Sequence, residues 1–253
     1  MQLTALLKLL TPSKQLLVIQ QPGTGKSHIY RMVGTILHDI HIVFHPLLVL
    51  TADQIIKFKT GSNIYGAIEV HNLNEHASKS IQFRGKLLSW LKGLVPDSTT
   101  TIFLFTSPQF LTKYQAFCTR LVQLSWTRGT LRACILDEAH LLSQHGADFR
   151  PEIRQLGDIF FQLAFSPSNN CRGFFVAGTA TMTRNNLKYL ESIASIQFTP
   201  DTTFWATAAK FKIAASKLLF IVALSILMKQ LNISNGKQVV HSFTPTPKPM
   251  PLN

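Results

Sequence analysis

The chain has 253 residues, enough for one large domain or for one domain with a further fragment. Hydrophobic residues make up 46%, which excludes disorder throughout, and 25 Lys+Arg against 12 Asp+Glu leave a net charge of +13. That excess suits a polyanionic partner, nucleic acid before an anionic membrane surface.

The first apolar run, Leu3–Leu10, is interrupted by Lys8 and is followed by no small-residue cleavage site, so it reads as a helix of the domain. Leu16–Gln20 is a short strand ending in a Gly-rich turn, and Ser27–His38 is the helix after it. Ile42–Phe44 is a second strand with helix Leu47–Phe58, and Ile64–His71 a third with helix Ala77–Leu94. Thr101–Phe105 precedes one long helix, Pro108–Trp126. Leu131–Leu136 is a continuous apolar strand running into acidic residues. Glu152–Phe165 reads as a helix, Gly173–Ala177 as a strand and Met182–Ile193 as a helix. Strands alternating with helices predict a parallel sheet of about six strands covered on its faces.

After Asp201 the composition changes: residues 202–253 hold six lysines and no acidic residue. A helix near Ile213–Leu231 and a strand at Gln238–Ser242 are expected, then a loose Pro-rich tail. The apolar run Leu218–Met228 has 11 residues, against the roughly 18–20 that a membrane helix needs. No membrane partner is expected. Three cysteines, Cys118, Cys134 and Cys171, form no CxxC pair, and His41 and His45 have no third ligand nearby in sequence, so no zinc site is expected.

Two motifs carry chemistry. Gln20-Gln21-Pro22-Gly23-Thr24-Gly25-Lys26-Ser27 lies between a strand and a helix, where a phosphate-binding loop belongs. Gly23 and Gly25 let the loop turn its N–H groups toward phosphate oxygens, and the helix N-terminus adds partial positive charge. Pro22 and Thr24 complete the loop. Lys26 would reach the β- and γ-phosphates of ATP, and the Ser27 hydroxyl would ligate Mg²⁺. Gln20 stands where the general pattern has glycine. The second motif is Leu131–Leu136 followed by Asp137-Glu138-Ala139-His140. An apolar strand delivers two carboxylates to the sheet edge, an expensive place for unpaired charge. Asp137 would hold Mg²⁺, and Glu138 would orient and deprotonate the attacking water.

With these residues the chain resembles superfamily 2 helicases of the DEAH-box spelling, and among them the RecQ family. His45–Gln54 is similar to motif Ia and Thr106–Leu111 to motif Ib. Ser143–Pro151 resembles the RecQ loop that follows the acidic box, and Ala177–Thr181 resembles motif III. The resemblance implies a RecA-like P-loop NTPase fold, a parallel sheet flanked by helices plus a C-terminal fragment, and a 3′→5′ DNA helicase activity using ATP and Mg²⁺. It implies nucleic-acid contacts at Thr51, Ser107, Phe149 and Arg150. It implies coupling of nucleotide and DNA sites through Gln144, His145, Thr179 and Thr181, with His140 linking the nucleotide to the neighbouring domain. It implies DNA as partner, single-stranded or a junction, and the nucleus as compartment, or otherwise the cytoplasm or nucleoid, without secretion.

Departures accompany the match. The family usually has Trp at the position of His145 and His at that of Ala147, and stacking on a base is worth about 1–3 kcal/mol. No adenine-reading Gln motif precedes the loop; Gln2 and Gln15 lack its context. Residues 1–205 are read as the ATP-binding domain, 206–243 as the start of a second motor domain, Gly236–Ser242 resembling its entry, and 244–253 as a tail. A second motor domain in cis or trans is therefore expected. Two alternatives stand beside this reading: a non-catalytic helicase-derived module that binds nucleic acid or a partner, and a P-loop ATPase of another class.

Overall fold

Among the described residues seven runs pair into one sheet, and the five inner ones bury both faces because helices cover the sheet on both sides. The computed structural model describes residues 2–9, 14–45, 48–60, 67–77, 80–96, 99–142, 156–157 and 173–206. The strands are β1 (Gln15–Gln20), β2 (Asp39–Phe44), β3 (Ala67–Asn72), β4 (Thr100–Thr106), β5 (Leu131–Leu136), β6 (Phe174–Thr179) and β7 (Thr203–Ala206). They lie in the order β3-β4-β2-β5-β6-β1-β7, every neighbouring pair parallel.

The described helices are α1 (Gln2–Leu9), α2 (Lys26–Leu37), α3 (Leu48–Thr60), α4 (Leu73–Ala77), α5 (Ile81–Gly93), α6 (Pro108–Lys113), α7 (Gln115–Thr127) and α8 (Arg184–Ala194). Side chains alternate across a strand, so the period of two sorts the core into two clusters. Leu17, Ile42, Leu104 and Leu136 meet Leu87 and Leu91 of α5, Leu121 of α7 and Leu190 of α8. Leu16, Val18, Val43, Phe103 and Ile135 meet Leu6 of α1, Ile29 and Val33 of α2 and Phe58 of α3. The result is three layers, helices on each face of a parallel sheet. Among the described residues no helix is long and apolar enough to cross a membrane.

Three expectations are corrected. The helix expected over Pro108–Trp126 is two helices, broken at Tyr114, whose backbone leaves the helical region at φ −127° and ψ 41°. Its ring packs on Phe110 at 5.0 Å and under the Arg84 guanidinium at 4.4 Å. The helix expected over Ala77–Leu94 is α5, which starts after Ser80, whose hydroxyl accepts from the Phe83 N–H at 3.2 Å, and a short helix that was not expected, α4, comes before it. The sheet also gains β7, a four-residue strand beside β1. It alternates, Phe204 buried and Trp205 65% exposed, but is too short to stand out by pattern. It carries the sheet through Ala206. The helix expected at Glu152–Phe165, apart from Leu156 and Gly157, and the features expected after Ala206 lie outside the described residues.

One core residue gives the fold a pH dependence. His41 of β2 is fully buried, packs its ring on Phe103 at 5.2 Å, and places Nε2 2.7 Å from the His38 carbonyl. Burial drives its pKa down from 6.5 to about 3, against the pull of the His38 carbonyl. Between those values the unfolded chain binds a proton that the folded chain refuses. Stability from His41 is therefore full above pH 6.5 and falls as pH drops toward 3. The free energy of unfolding followed over that range should drop more steeply for the wild type than for His41→Phe, by on the order of a few kcal/mol at the acid end.

Candidate nucleotide site

In a parallel sheet all strands end on one edge, and three adjacent strands here, β5, β6 and β1, bring their following loops together. The loop after β1 turns through Gly23 at φ 75° and Gly25 at φ 105°, left-handed conformations that favour glycine. Gly25 caps α2, so Lys26 is its first residue and Ser27 its second. Pro22 and Gly23 are exposed; Thr24, Gly25 and Ser27 are half-buried. Gln20, in the place of the general pattern's first glycine, ends β1 and holds the loop across its base. Its Nε2 donates to the Thr24 carbonyl at 2.7 Å, and the Thr24 hydroxyl donates to the Gln21 carbonyl.

The Lys26 ammonium is folded back into the site. It donates to the Gln20 carbonyl at 3.2 Å and lies 3.5 Å from Glu138 Oε1, with 8% of its side chain exposed. Glu138 adopts φ 49°, a strained backbone at the turn after β5, of the kind that clusters at functional sites. Its other oxygen, Oε2, lies 3.3 Å from His140 Nδ1, which is also 3.0 Å from the Thr179 hydroxyl. Thr179 in turn donates to the Thr181 carbonyl at 2.7 Å. His140, expected to link to a neighbouring domain, here joins Glu138 to the end of β6 within one domain.

Asp137 is 3% exposed. Its Oδ1 accepts from the Tyr30 hydroxyl at 3.0 Å and from the Glu138 N–H at 3.0 Å, and its Oδ2 lies 3.7 Å from His45 Nε2. Burial raises the Asp137 pKa; His45, the Tyr30 hydroxyl and Lys26 pull it back, and the neighbouring Glu138 pushes with burial. Tyr30, wholly buried against these two carboxylates, has its own pKa raised well above 10.0, so the hydroxyl remains a donor.

These residues fit a magnesium nucleotide. A buried ammonium, a glycine loop at a helix N-terminus, one hydroxyl and one buried carboxylate are the donor set that a triphosphate and a hard divalent cation require. Ser27 and Asp137 would hold the cation.

The structure brings together Lys26, Asp137, Glu138, His140, Thr179 and Thr181. Ser107 stands apart from them: its hydroxyl accepts from the Phe110 N–H at 3.3 Å, capping α6, and donates to Asn74 at 2.7 Å. Thr51 lies on α3. Gln144, His145, Phe149 and Arg150 lie outside the described residues. Sequence reading missed Tyr30, and it placed His45 and Gly178 in motifs Ia and III without a role beside the acids. Tyr30 was legible in principle, since it sits four residues after Lys26 and so on the same side of α2. His45 follows β2, the strand beside β5, a neighbourhood that only the strand order reveals.

Comparison with known proteins agrees with this geometry. The family model described as DEAD/DEAH box helicase matches residues 1–190. The rat ATP-dependent DNA helicase Q5 is 32% identical over 183 residues, 72% of this chain and 17% of that protein. The mouse ATP-dependent DNA helicase Q1 is 27% identical over 184 residues, 72% of this chain and 26% of the relative. The probable ATP-dependent DNA helicase RecS of Bacillus subtilis is 27% identical over 185 residues, 73% of this chain and 32% of the relative. The chain thus spans a third or less of the length of these relatives. The Hef helicase domain of Pyrococcus furiosus superposes with a TM-score of 0.51 at 11% identity, covering 82% of this chain and 38% of that one, a likeness of fold. The chain belongs to the DEAD/DEAH box helicases, on their RecQ-like branch.

Proposed function

We propose that this chain is the ATP-binding motor domain of a RecQ-like 3′→5′ DNA helicase, acting with a second motor domain in cis or in trans. The observation that carries the reading is the 3.5 Å approach of Lys26 to Glu138, with Asp137 buried beside them at the ends of β1 and β5. Lys26 is placed to meet the β- and γ-phosphates, and Glu138, 3.5 Å from it, to orient and deprotonate the attacking water. Ser27 and Asp137 would hold Mg²⁺, which would neutralise charge on the phosphates. His140, bonded to Thr179 and next to Glu138, reports the state of the site to the loop after β6.

Single-stranded DNA would cross the same domain at Thr51, Ser107, Phe149 and Arg150, held by phosphates rather than read by base. For Ser107 this means giving up its bond to Asn74. The net charge of +13 supports such contact and makes it salt-sensitive. A DNA-processing role places the protein with the genome, in the nucleus of a eukaryote.

The test is nucleotide binding and turnover, with and without single-stranded DNA. Glu138→Gln should bind MgATP about as well as wild type while losing hydrolysis by roughly a hundredfold or more, because the base is gone and the phosphate contacts stay. Turnover by Glu138→Gln at the wild-type rate would refute the assignment. MgATP binding with no turnover in the presence of any second motor domain would favour a non-catalytic module instead.

A further inference from the structure

The Asp137 carboxylate is held from behind as well as from its own loop. Tyr30, on the second turn of α2 and 1% exposed, donates its hydroxyl to Asp137 Oδ1 at 3.0 Å. The Glu138 N–H reaches the same oxygen at 3.0 Å. With two donors on one oxygen, rotation about the carboxylate axis is blocked, and Oδ2 keeps its remaining lone-pair directions for other partners.

Space for this contact comes from a third element. A Cβ at Gly178 of β6 would lie 1.6 Å from the Tyr30 hydroxyl and 2.8 Å from its Cζ. The phenol head therefore occupies volume that any other residue at 178 would fill. Gly178 lies directly before Thr179, which pairs with His140. One buried phenol thus ties α2, which starts at Lys26, to the acid of β5 and to the strand that leads into Thr179.

We propose that Tyr30 is a positioning residue for divalent-cation binding, its hydroxyl seated over Gly178 so that Asp137 presents one oriented oxygen to the cation. This rests on the nucleotide-binding reading above. A group that orients a metal-binding side chain typically contributes ten- to a hundredfold in metal affinity by sparing the carboxylate the cost of ordering at each binding event.

The experiment titrates Mg²⁺ into the full 253-residue chain with a fluorescent N-methylanthraniloyl ATP, alongside the same nucleotide in EDTA. Tyr30→Phe, which keeps the ring, should raise the Mg²⁺ concentration for half-maximal effect by roughly tenfold. Affinity in EDTA should stay at the wild-type value. Gly178→Ala should shift the Mg²⁺ midpoint in the same direction by displacing the ring, and should add little when combined with Tyr30→Phe. A Tyr30→Phe chain with the wild-type Mg²⁺ midpoint overturns the proposal, even if its melting temperature falls, since the bond would then serve packing alone. A wild-type chain that binds no nucleotide in either condition overturns the nucleotide reading and this one with it. Wild-type binding that responds to Mg²⁺ separates the two.

Discussion

Lys26→Ala should weaken MgATP binding by roughly a hundredfold or more, read as the dissociation constant of a fluorescent nucleotide, because it removes the buried charge that phosphate would meet. The ammonium is 8% exposed and already partly stripped of water, so little of its attraction to phosphate is screened. Without it, Glu138 loses its 3.5 Å partner and two carboxylates face incoming phosphates. Repulsion then adds to lost attraction. Lys26→Arg should recover only part of the affinity, since a planar fork does not fit where a compact charge now donates to the Gln20 carbonyl. Wild-type affinity in Lys26→Ala would remove the loop after β1 from any account of nucleotide binding.

The second large effect is on stability, at the opposite edge of the sheet. Asp39 opens β2 and is 2% exposed; Arg132 donates to its Oδ2 through Nε at 2.9 Å and approaches through Nη2 at 2.8 Å. Asp39→Ala should destabilise the chain by about 3–5 kcal/mol, because it leaves a guanidinium buried without that carboxylate. Asp39→Ala combined with Arg132→Met should regain most of the loss, as apolar replacement of a buried pair often does. Denaturant unfolding of the two single variants and the double measures the coupling. Nucleotide affinity should not follow stability, since the pair sits where β2 and β5 begin and the nucleotide site where they end.

Arg132 also shows where pattern reading stops. The β2–β5 register passes from Ile40↔Leu131 to His41↔Ala133, so Arg132 is an extra residue in β5. By strict alternation Leu131 would share a face with Ala133 and Ile135. The irregularity puts Leu131 in the cluster with Cys134 and Leu136 and sends the Arg132 side chain to Asp39. Nothing in Leu-Arg-Ala-Cys-Ile-Leu announces that shift, because it is set by the partner strand.

By itself the sequence determined what is local. An apolar run followed by Gly-Thr-Gly-Lys-Ser can place a cation at a helix start, and one followed by Asp-Glu can place acids at a strand end, because each depends on a few neighbouring residues. The alternation of strands and helices likewise determined a covered parallel sheet. Tertiary structure decided what depends on residues far apart in the chain. Strand order set β6 between β5 and β1 and so joined His140 to Thr179. The chain broke at Tyr114, whose ring lies under Arg84 of a separate helix, and the strand Thr203–Ala206 took the open edge of β1. The Tyr30 hydroxyl found Asp137 only because β6 carries a glycine at 178. Local rules state which groups a segment offers; packing alone decides which of them meet.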